Sequence, residues 1–494
     1  MTHRFHPSIL RDYDIRGTVG ETLGEADAYA VGRSFATRLR RAGGRRVAVG
    51  RDGRLSSPAL EAALVDGLTA SGVDVVRIGL GPSPMLYYAE ATLEVDAAVQ
   101  VTGSHNPAAD NGFKLVLAHD SFFGDDVRDL ARLAKAGDWK HGSGTVSDAA
   151  VMEDYVGRLF AGYAGGSFRT GWDTGNGAAG PVIERLTQLL PGEHHLLHTA
   201  VDGTFPHHHP DPTIPTNLAD LIALVRRERL DLGFAFDGDG DRIGAVDARG
   251  RIVWGDQILA LLAEPLLREQ PGACVVADVK SSNTLFDRVR ALGGRAVMAK
   301  SGHSQIKARM KAERAAIGAE LSGHIFFAHD YYGFDDAAYA AVRLMRAIHL
   351  SGCSLAELID RLPPTCASPE LRVAVAEDRR LAIVDEVRAR VLAQGAAEGG
   401  DVDVTDGLRV STRDGWWLLR ASNTQAAVTL RAEAADEAGL ERLLADIDRQ
   451  PATGSRASLF PGHREASQPC EKQRAEHGKV DGVRHHPSCR IIDL

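Results

Sequence analysis

The chain has 494 residues, 44% of them hydrophobic and 25% charged, which is ordinary for a soluble globular protein of roughly three or four domains. Its formal net charge of −9 argues against a nucleic-acid-binding surface, and no run approaches the ~20 apolar residues of a membrane span. Five cysteines without a CxxC pair, and an N-terminus without an apolar signal core, indicate a cytoplasmic protein, which we expect to be a monomer or a weak dimer.

Residues 1–148 predict one α/β domain, because short β-branched runs alternate with helical segments. We expect a helix to open at Ser57-Pro58, with Ser57 as its N-cap and a stripe of leucines on its buried face. A strand follows from Val73. The charged, glycine-rich segment 135–144 indicates the first domain boundary.

Two further α/β units follow, at residues 149–254 and 255–366, each combining apolar helices with β-branched strands. Residues 367–450 differ in character and predict a smaller α+β domain with a hairpin that turns at Asp414-Gly415. Residues 451–494 are polar and rich in proline and glycine, and we expect them to form a disordered tail. The predicted fold class is therefore α/β, with three similar mixed α/β domains and a smaller α+β C-terminal domain.

The most informative motif is an acidic loop, Asp237-Gly-Asp-Gly-Asp241, which follows the apolar strand at 232–236. Three carboxylates at alternate positions, separated by glycines, can point at one centre, and they repel one another unless a cation lies between them. Such hard oxygen ligands suit Mg²⁺. An EF-hand is excluded, because its sixth and twelfth positions hold Arg242 and Ala248 instead of glycine and glutamate. The loop predicts a magnesium site at Asp237, Asp239 and Asp241.

A second polar segment, QVTGSHNPAADNGFKLV at residues 100–116, lies between two apolar runs. Ser104 and His105 follow the first run, and Asn111-Gly112 predicts a second turn just before Lys114. The pattern fits a polar hairpin or a nucleophile loop, and the segment alone does not decide between them.

Two other segments carry polar sets that are typical of ligand binding. Residues 420–424 (RASNT) lie between two predicted strands and combine a guanidinium with short donors, which fits a phosphate-binding turn or an ordinary hairpin turn. Glu320, Ser322 and His324 offer a carboxylate and a hydroxyl that suit the paired hydroxyls of a sugar, although an unrelated helix cap has the same composition. Lys280 and His303 are isolated basic candidates.

A dinucleotide-binding reading rests on residues 173–180 (DTGNGAAG), which contain GxGxxG with Asp202 at the expected distance. The preceding run, 167–172, predicts a poor buried strand, and an NAD enzyme leaves the acidic loop unexplained. We therefore interpret 173–180 as a structural strand-to-helix turn. The triplet His207–His209 is stiffened by flanking prolines, and we expect a loop there, not a metal site.

Taken together, these motifs resemble the α-D-phosphohexomutase superfamily, and most closely its bacterial phosphomannomutase/phosphoglucomutase branch. The resemblance runs from Phe5 to Asp448. It is carried, in family order, by Tyr13–Gly17 (YDIRG), Thr102–Pro107 (TGSHNP) with Asn111–Lys114 (NGFK), Asp237–Arg242 (DGDGDR), Lys300–Ser304 (KSGHS), Glu320–His324 (ELSGH) and Arg420–Thr424 (RASNT).

The resemblance implies reversible phosphoryl transfer between the 1- and 6-positions of a hexose phosphate, mannose or glucose, on phosphoserine Ser104. Hexose 1,6-bisphosphate would serve as intermediate and activator, and sugar phosphates as partners. It further implies one central cleft between a phosphoserine domain (1–148), a metal-binding domain (149–254), a sugar-recognition domain (255–366) and a phosphate-binding domain (367–450). A phosphoglucosamine-type mutase and a non-catalytic phosphosugar-binding protein are the alternatives.

The resemblance also implies roles for individual residues. Ser104 would complete the Mg²⁺ ligand set of Asp237, Asp239 and Asp241. The implied catalytic residues are Ser104, His105, Lys114, Arg16, Arg242 and His303, with Lys114 or His303 expected to transfer the proton. The implied substrate-binding residues are Tyr13, Lys280, Glu320, Ser322, His324, Arg420, Ser422, Asn423 and Thr424.

Overall fold

The computed structural model describes residues 2–376, 378–393, 401–422 and 427–449. These residues form two compact units. The first unit comprises residues up to 277 together with 285–297 and 302–359, and the second comprises 278–284, 298–301 and the described residues from 360 onward. Four β-sheets are formed by the described residues. None of the described helices combines the length and the apolar character that crossing a bilayer requires.

The first sheet lies in the N-terminal part of the first unit. Its strands are β1 (Ile15–Thr18), β2 (Arg46–Arg51), β3 (Asp74–Leu80), β4 (Ala97–Val101), β5 (Asp110–Leu117), β6 (Asp120–Ser121) and β7 (Val146–Asp148), in the order β1-β5-β4-β2-β3-β7 with β6 beside β5. Its helices are α1 (Glu25–Arg41), α2 (Ser57–Ala70), α3 (Ser83–Thr92) and α4 (Asp125–Ala136). Strand β2 is parallel to β3 and β4, and every residue of β4 is buried, as expected for an inner strand covered on both faces.

The second sheet has the order β12-β11-β10-β8-β9. Its strands are β8 (Phe168–Asp173), β9 (Gly192–Leu197), β10 (Leu232–Phe236), β11 (Ile243–Asp247) and β12 (Ile252–Val253), and helices α5 (Met152–Phe160), α6 (Gly180–Thr187) and α7 (Ala219–Glu228) accompany them. Strand β10 is parallel to β8 and antiparallel to β11, and all five of its residues are buried. The sequence at 232–236 predicts this strand correctly.

The third sheet has the order β14-β13-β15-β16. Its strands are β13 (Cys274–Asp278), β14 (Arg295–Ala299), β15 (Ile317–Ala319) and β16 (Ile325–Phe327), and the surrounding helices are α8 (Gly255–Glu269), α9 (Asn283–Ala291), α10 (His303–Glu313), α11 (Ala337–Ser351) and α12 (Leu355–Asp360). Strand β13 is parallel to β15, whereas β16 is antiparallel to β15. The residues between β15 and β16 form the short turn that carries Glu320 and His324.

The second unit contains an antiparallel sheet of order β17-β22-β21-β20-β19, with β18 also beside β22. The strands are β17 (Cys366–Ala367), β18 (Leu371–Ala374), β19 (Val402–Asp403), β20 (Leu408–Thr412), β21 (Gly415–Ala421) and β22 (Ala427–Ala434), and the helices are α13 (Arg380–Ala393) and α14 (Glu437–Asp448). The hairpin predicted at Asp414-Gly415 is present, since Thr412 is opposite Gly415 in the β20–β21 register. The fold class is thus mixed α/β with a smaller α+β C-terminal part, as predicted. The tail predicted at 451–494 lies outside the described residues.

Three local predictions are wrong. Asn111-Gly112 is not a turn but lies inside β5, where Gly112 is opposite Arg16 of β1. The run 167–172 is not a poor strand, because β8 begins at Phe168 and is buried from Thr170 onward by its pairing with β9 and β10. The N-cap position of α2 is occupied by Ser56 and not by Ser57. The hydroxyl of Ser57 donates to Asp52 Oδ1. In the first two cases, pairing with strands distant in sequence overrides the local preference. In the third, the Ser57 hydroxyl is engaged by Asp52, five residues away.

Candidate active site

The acidic loop is the turn between two buried strands. Phe236 of β10 is opposite Ile243 of β11, so residues 237–242 connect them directly. Asp237, Asp239 and Asp241 have no exposed surface, and one oxygen of each lies within 4.8 Å of the others. A Cβ on Gly238 would lie 2.4 Å from the carbonyl oxygen of Ser104, so the glycine allows the acidic loop to approach the serine segment. The acidic loop and the serine segment are therefore in contact.

Ser104 lies at this meeting point in a strained conformation. Its φ angle is 49°, in the left-handed region that non-glycine residues occupy at a cost of roughly 1–3 kcal/mol. The backbone N–H of Ser104 donates to Thr102 Oγ1 at 2.8 Å, and its side-chain hydroxyl donates to Asp237 Oδ2 at 2.9 Å. The strain aims the hydroxyl at the carboxylates, which favours the nucleophile-loop interpretation over the polar hairpin.

Two arginines hold the serine segment in place. Arg54 is 1% exposed, and its Nη2 donates to the carbonyl oxygens of Ser104 and Asn106, at 2.7 and 2.6 Å. Arg16 donates to Gly103 O at 3.2 Å and to Asn106 Oδ1 at 2.9 Å. Sequence reasoning proposed Arg16 but missed Arg54. The available signal was its place three residues after the end of β2, because polar residues at the carboxyl ends of parallel strands converge.

Lys114 lies on β5 and not on a loop, and its ammonium group reaches the acidic loop. Its Nζ lies 2.6 Å from Asp239 Oδ2 and also contacts Asp241 Oδ2, and its side chain is 3% exposed. Burial lowers the pKa of Lys114, but the two carboxylates outweigh burial and hold that pKa well above its ordinary value. Burial likewise raises the pKa of Asp239, but Lys114 holds it far below the usual range. Lys114 is therefore a cation that neutralises the loop.

The acidic loop also contains carboxylate oxygens that could act as metal ligands. The Oδ1 atoms of Asp239 and Asp241 are buried and have no hydrogen-bond partner among the described residues. Asp237 differs, because its Oδ1 accepts the backbone N–H groups of Asp241 and Arg242, at 3.0 and 3.1 Å. Burial, followed by the charges of Asp239 and Asp241, holds the pKa of Asp237 well above its ordinary value. An all-oxygen set of this kind, short of positive charge, fits a hard divalent cation.

A chain of basic groups continues from Ser104 toward the third sheet. His105 Nδ1 lies 3.2 Å from Ser104 Oγ, and burial, followed by Arg242, holds the pKa of His105 well below its ordinary value. Arg242 Nε donates to His324 Nε2 at 3.0 Å, and His324 Nδ1 lies 2.8 Å from Asp335 Oδ2. Asp335 is fully buried, and sequence reasoning missed it because nothing in its local sequence marks it as different from the neighbouring Asp336.

His303 begins α10 beside Tyr13, with the two rings edge to face at a centroid distance of 5.9 Å. Both ring nitrogens of His303 are buried and make no hydrogen bond to any described residue. Burial, followed by the charge of Lys307, holds the pKa of His303 well below its ordinary value. Glu320 is 4% exposed and accepts the backbone N–H of Gly302 at 2.5 Å, while Ser322 lies partly exposed in the same turn as Glu320. His303 thus packs between the rings of Tyr13 and His324, with two buried nitrogens that make no hydrogen bond to the described part of the chain.

The remaining predicted substrate-binding residues belong to the second unit. Arg420 Nε donates to Asp406 Oδ2 at 2.9 Å, and Ser422, which is also buried, follows at the end of β21. Lys280 Nζ lies 3.3 Å from Glu370 Oε2, and this lysine lowers the pKa of Glu370 to about 2. Asn423 and Thr424 lie outside the described residues.

Four family models match the chain, and each of the four sheets contains residues of one of them. The model described as "Phosphoglucomutase/phosphomannomutase, alpha/beta/alpha domain I" matches residues 8–139. The models of domains II and III of the same family match residues 158–250 and 254–366, and the model of its C-terminal domain matches residues 370–450.

Individual relatives agree with this assignment. The phosphomannomutase/phosphoglucomutase of Pseudomonas aeruginosa is 40% identical over 439 residues, which cover 88% of this chain and 94% of that protein. The phosphoglucomutase of Neisseria gonorrhoeae is 40% identical over 442 residues, covering 88% and 95%. The crystal structure of a phosphoglucomutase/phosphomannomutase family protein from Burkholderia thailandensis superimposes with a TM-score of 0.85 at 40% identity, covering 90% of this chain and 97% of that one. The chain therefore belongs to the phosphoglucomutase/phosphomannomutase family of isomerases.

Proposed function

We propose that the chain is a phosphohexomutase that reversibly interconverts the 1-phosphate and the 6-phosphate of a hexose, glucose or mannose, through phosphoserine Ser104. The observation that carries this proposal is the strained serine, whose hydroxyl lies 2.9 Å from one carboxylate of a buried acidic loop. The names of the relatives that are 40% identical over most of the chain support the choice of sugars.

Each domain has one task in this proposal. Residues 1–148 carry the phosphoserine, 149–254 the metal ligands, 255–366 the groups that recognise the sugar, and 367–450 the site for the phosphate that does not react. Glu320 and Ser322 would read sugar hydroxyls. Arg420, Ser422, Asn423 and Thr424 would bind the distal phosphate, for which a guanidinium fork and short hydroxyl and amide donors are suited.

Asp237, Asp239, Asp241 and an oxygen on Ser104 would hold Mg²⁺, to which the Oδ1 atoms of Asp239 and Asp241 are suited, since they are buried and accept no hydrogen bond from the described residues. When bound, this ion would neutralise charge on the phosphoryl oxygens and polarise the bond to the serine oxygen. Lys114 neutralises the same carboxylates and would share that task. The activator implied by this scheme is hexose 1,6-bisphosphate, which can phosphorylate Ser104.

The transfer itself requires positioning and charge neutralisation more than covalent chemistry. The free hydroxyl of the sugar phosphate attacks the phosphorus on Ser104, and the P–O bond to the serine breaks with its electron pair on the serine oxygen. In the net reaction, the proton that the sugar hydroxyl loses replaces the phosphoryl group on that oxygen. The product is the 1,6-bisphosphate, whose other phosphoryl group then returns to Ser104. The pKa of His303 is held low by burial, and neither of its ring nitrogens makes a hydrogen bond to a described residue, so we assign it to accept the proton of the attacking hydroxyl, whereas the ion-paired Lys114 remains a cation. Arg16 and Arg242 would stabilise the transferring charge.

The test is phosphorus NMR of the protein with Mg²⁺, a trace of glucose 1,6-bisphosphate and either glucose 1-phosphate or mannose 1-phosphate. We expect the 6-phosphate to form, with the two initial rates ranking the sugars. Ser104→Ala should abolish the conversion, and a variant of the exposed Lys311, Lys311→Met, should keep it. Conversion that persists in Ser104→Ala would refute the phosphoserine assignment. Conversion of glucosamine phosphates alone would change the substrate, and no conversion of any sugar would favour a binding protein.

A further inference from the structure

A second cluster of metal-ligating side chains lies in the second sheet, apart from the acidic loop. Asp173 ends β8, His198 follows β9 directly, and His208 belongs to the histidine-rich loop that precedes Pro210. One ligand atom from each of the three side chains lies within 4.8 Å of the others. We propose that Asp173, His198 and His208 bind one Zn²⁺ ion, independently of the proposed mutase function.

His208 already has the orientation of a metal ligand. Its Nδ1 lies 3.0 Å from the carbonyl oxygen of His209, to which it donates, so Nε2 is the nitrogen that faces Asp173, at 3.0 Å from Oδ2. A backbone acceptor on the other ring nitrogen fixes the tautomer of metal-binding histidines in the same way. Asp173 is fully buried, and its other oxygen accepts the backbone N–H of Gly175 at 2.9 Å. In the absence of metal, a proton on Nε2 takes the position between imidazole and carboxylate.

The ion pair between His208 and Asp173 does not account for His198, which provides a second observation. Its Nε2 is buried and has no hydrogen-bond partner among the described residues, although Asp220 Oδ2 lies 3.4 Å away. The ring is held in place by His207, which stacks on it at a centroid distance of 3.9 Å and whose Nδ1 lies 2.7 Å from Asn176 Oδ1. A buried imidazole nitrogen that makes no hydrogen bond to a described residue, and has only the Asp220 carboxylate at 3.4 Å, is costly, and a metal ion between these groups would satisfy it.

The donor set selects the class of metal. Two imidazoles and one carboxylate suit Zn²⁺ and its neighbours Co²⁺ and Ni²⁺, whereas Mg²⁺ prefers oxygen ligands alone. Tetrahedral coordination at about 2.1 Å places ligand atoms roughly 3.4 Å apart, so the side chains need only modest rotations to close on the ion. Asp220, which is 60% exposed, or a water molecule would complete the set. The sequence predicts a loop without a metal site at 207–209. The loop is present, and the proposed Zn²⁺ site departs from the second part of that prediction.

The experiment uses the full-length protein, stripped with chelator and then kept in excess Mg²⁺, so that all-oxygen sites are filled. Co²⁺ is titrated as the probe, and its visible ligand-field absorption reports nitrogen ligands in a low-symmetry site. We expect one equivalent to bind, Zn²⁺ to displace it, and Zn²⁺ to raise the thermal unfolding midpoint. His198→Gln and His208→Gln should each weaken Co²⁺ binding at least tenfold.

His195→Gln is the matched control, because His195 lies on β9 in the same segment but pairs with Glu193 on the surface. It should bind Co²⁺ as the unmodified protein does. The proposal is overturned if the Mg²⁺-saturated protein binds no Co²⁺, if both variants bind it normally, or if His195→Gln loses it equally. Circular dichroism of each variant separates lost binding from lost folding, and should His208→Gln fail to fold, His198→Gln alone decides.

Discussion

Removing the charge of Lys114 should destabilise the first unit severely, and Mg²⁺ should reverse part of the damage. The side chain is 3% exposed and forms ion pairs with Asp239 and Asp241, which have no exposed surface. Removal of one partner from a buried ion pair costs about 3–5 kcal/mol, because the other charge stays buried without compensation. In Lys114→Met, we therefore expect a loss of roughly 4 kcal/mol in chelator, which corresponds to roughly 5 °C in the unfolding midpoint of a unit as large as the first one.

Two further features identify the cause of that loss. A bound divalent cation replaces the lost positive charge, so saturating Mg²⁺ should at least halve the difference between Lys114→Met and the unmodified protein. Without lysine or metal, the folded-state pKa values of the carboxylates rise above their unfolded values, so the folded variant binds more protons than the unfolded one. Its stability therefore falls as pH rises, and the difference from the unmodified protein should be smaller at pH 5 than at pH 8.

The measurement is scanning calorimetry in chelator and in Mg²⁺, at both pH values. Lys311→Met serves as the control, since the pair between Lys311 and Asp120 is exposed and should contribute little. An unchanged midpoint for Lys114→Met in chelator would show that Lys114 does not compensate the acidic loop. A loss that Mg²⁺ leaves untouched would show that the loop does not bind the ion.

Substitutions at three other positions test separate features of the chain. Ser104→Gly and Ser104→Ala should both be inactive, but the glycine variant should be the more stable by about 1 kcal/mol in urea unfolding, because φ is 49° there; equal stabilities would argue against strain. Lys307→Met should raise the pKa of His303 and move the acid limb of the kcat/KM profile to higher pH, whereas an unmoved limb would remove His303 from proton transfer. Glu370→Gln should lower the free energy of unfolding of the second unit by roughly 3 kcal/mol at pH 7. Because the pKa of Glu370 is lowered to about 2, this loss should vanish as pH falls from about 4.5 toward 2. A loss independent of pH would exclude the pairing with Lys280.

The sequence alone determined the chain's layers and the chemistry of its main motifs. Periodicity and turn residues predict the α/β units and the C-terminal hairpin, since buried strands and helices need local hydrophobic patterns. The alternation of aspartate and glycine at 237–241 predicts a convergent carboxylate loop, because composition and spacing together leave few other conformations for it. Such features depend on residues that are close in sequence, and interactions between those neighbouring residues are sufficient to form them.

Tertiary structure decided everything that depends on distant partners. The position of Arg54 beneath Ser104, the ion pairs of Lys114 and the approach of Gly238 to the serine segment each join residues more than forty positions apart. The left-handed backbone of Ser104 is likewise invisible in its sequence, because the surrounding contacts impose it and local preference opposes it. The same holds for Asp173, His198 and His208, whose spacing matches no metal motif and which meet only because β8, β9 and the following loop end on the same side of a sheet.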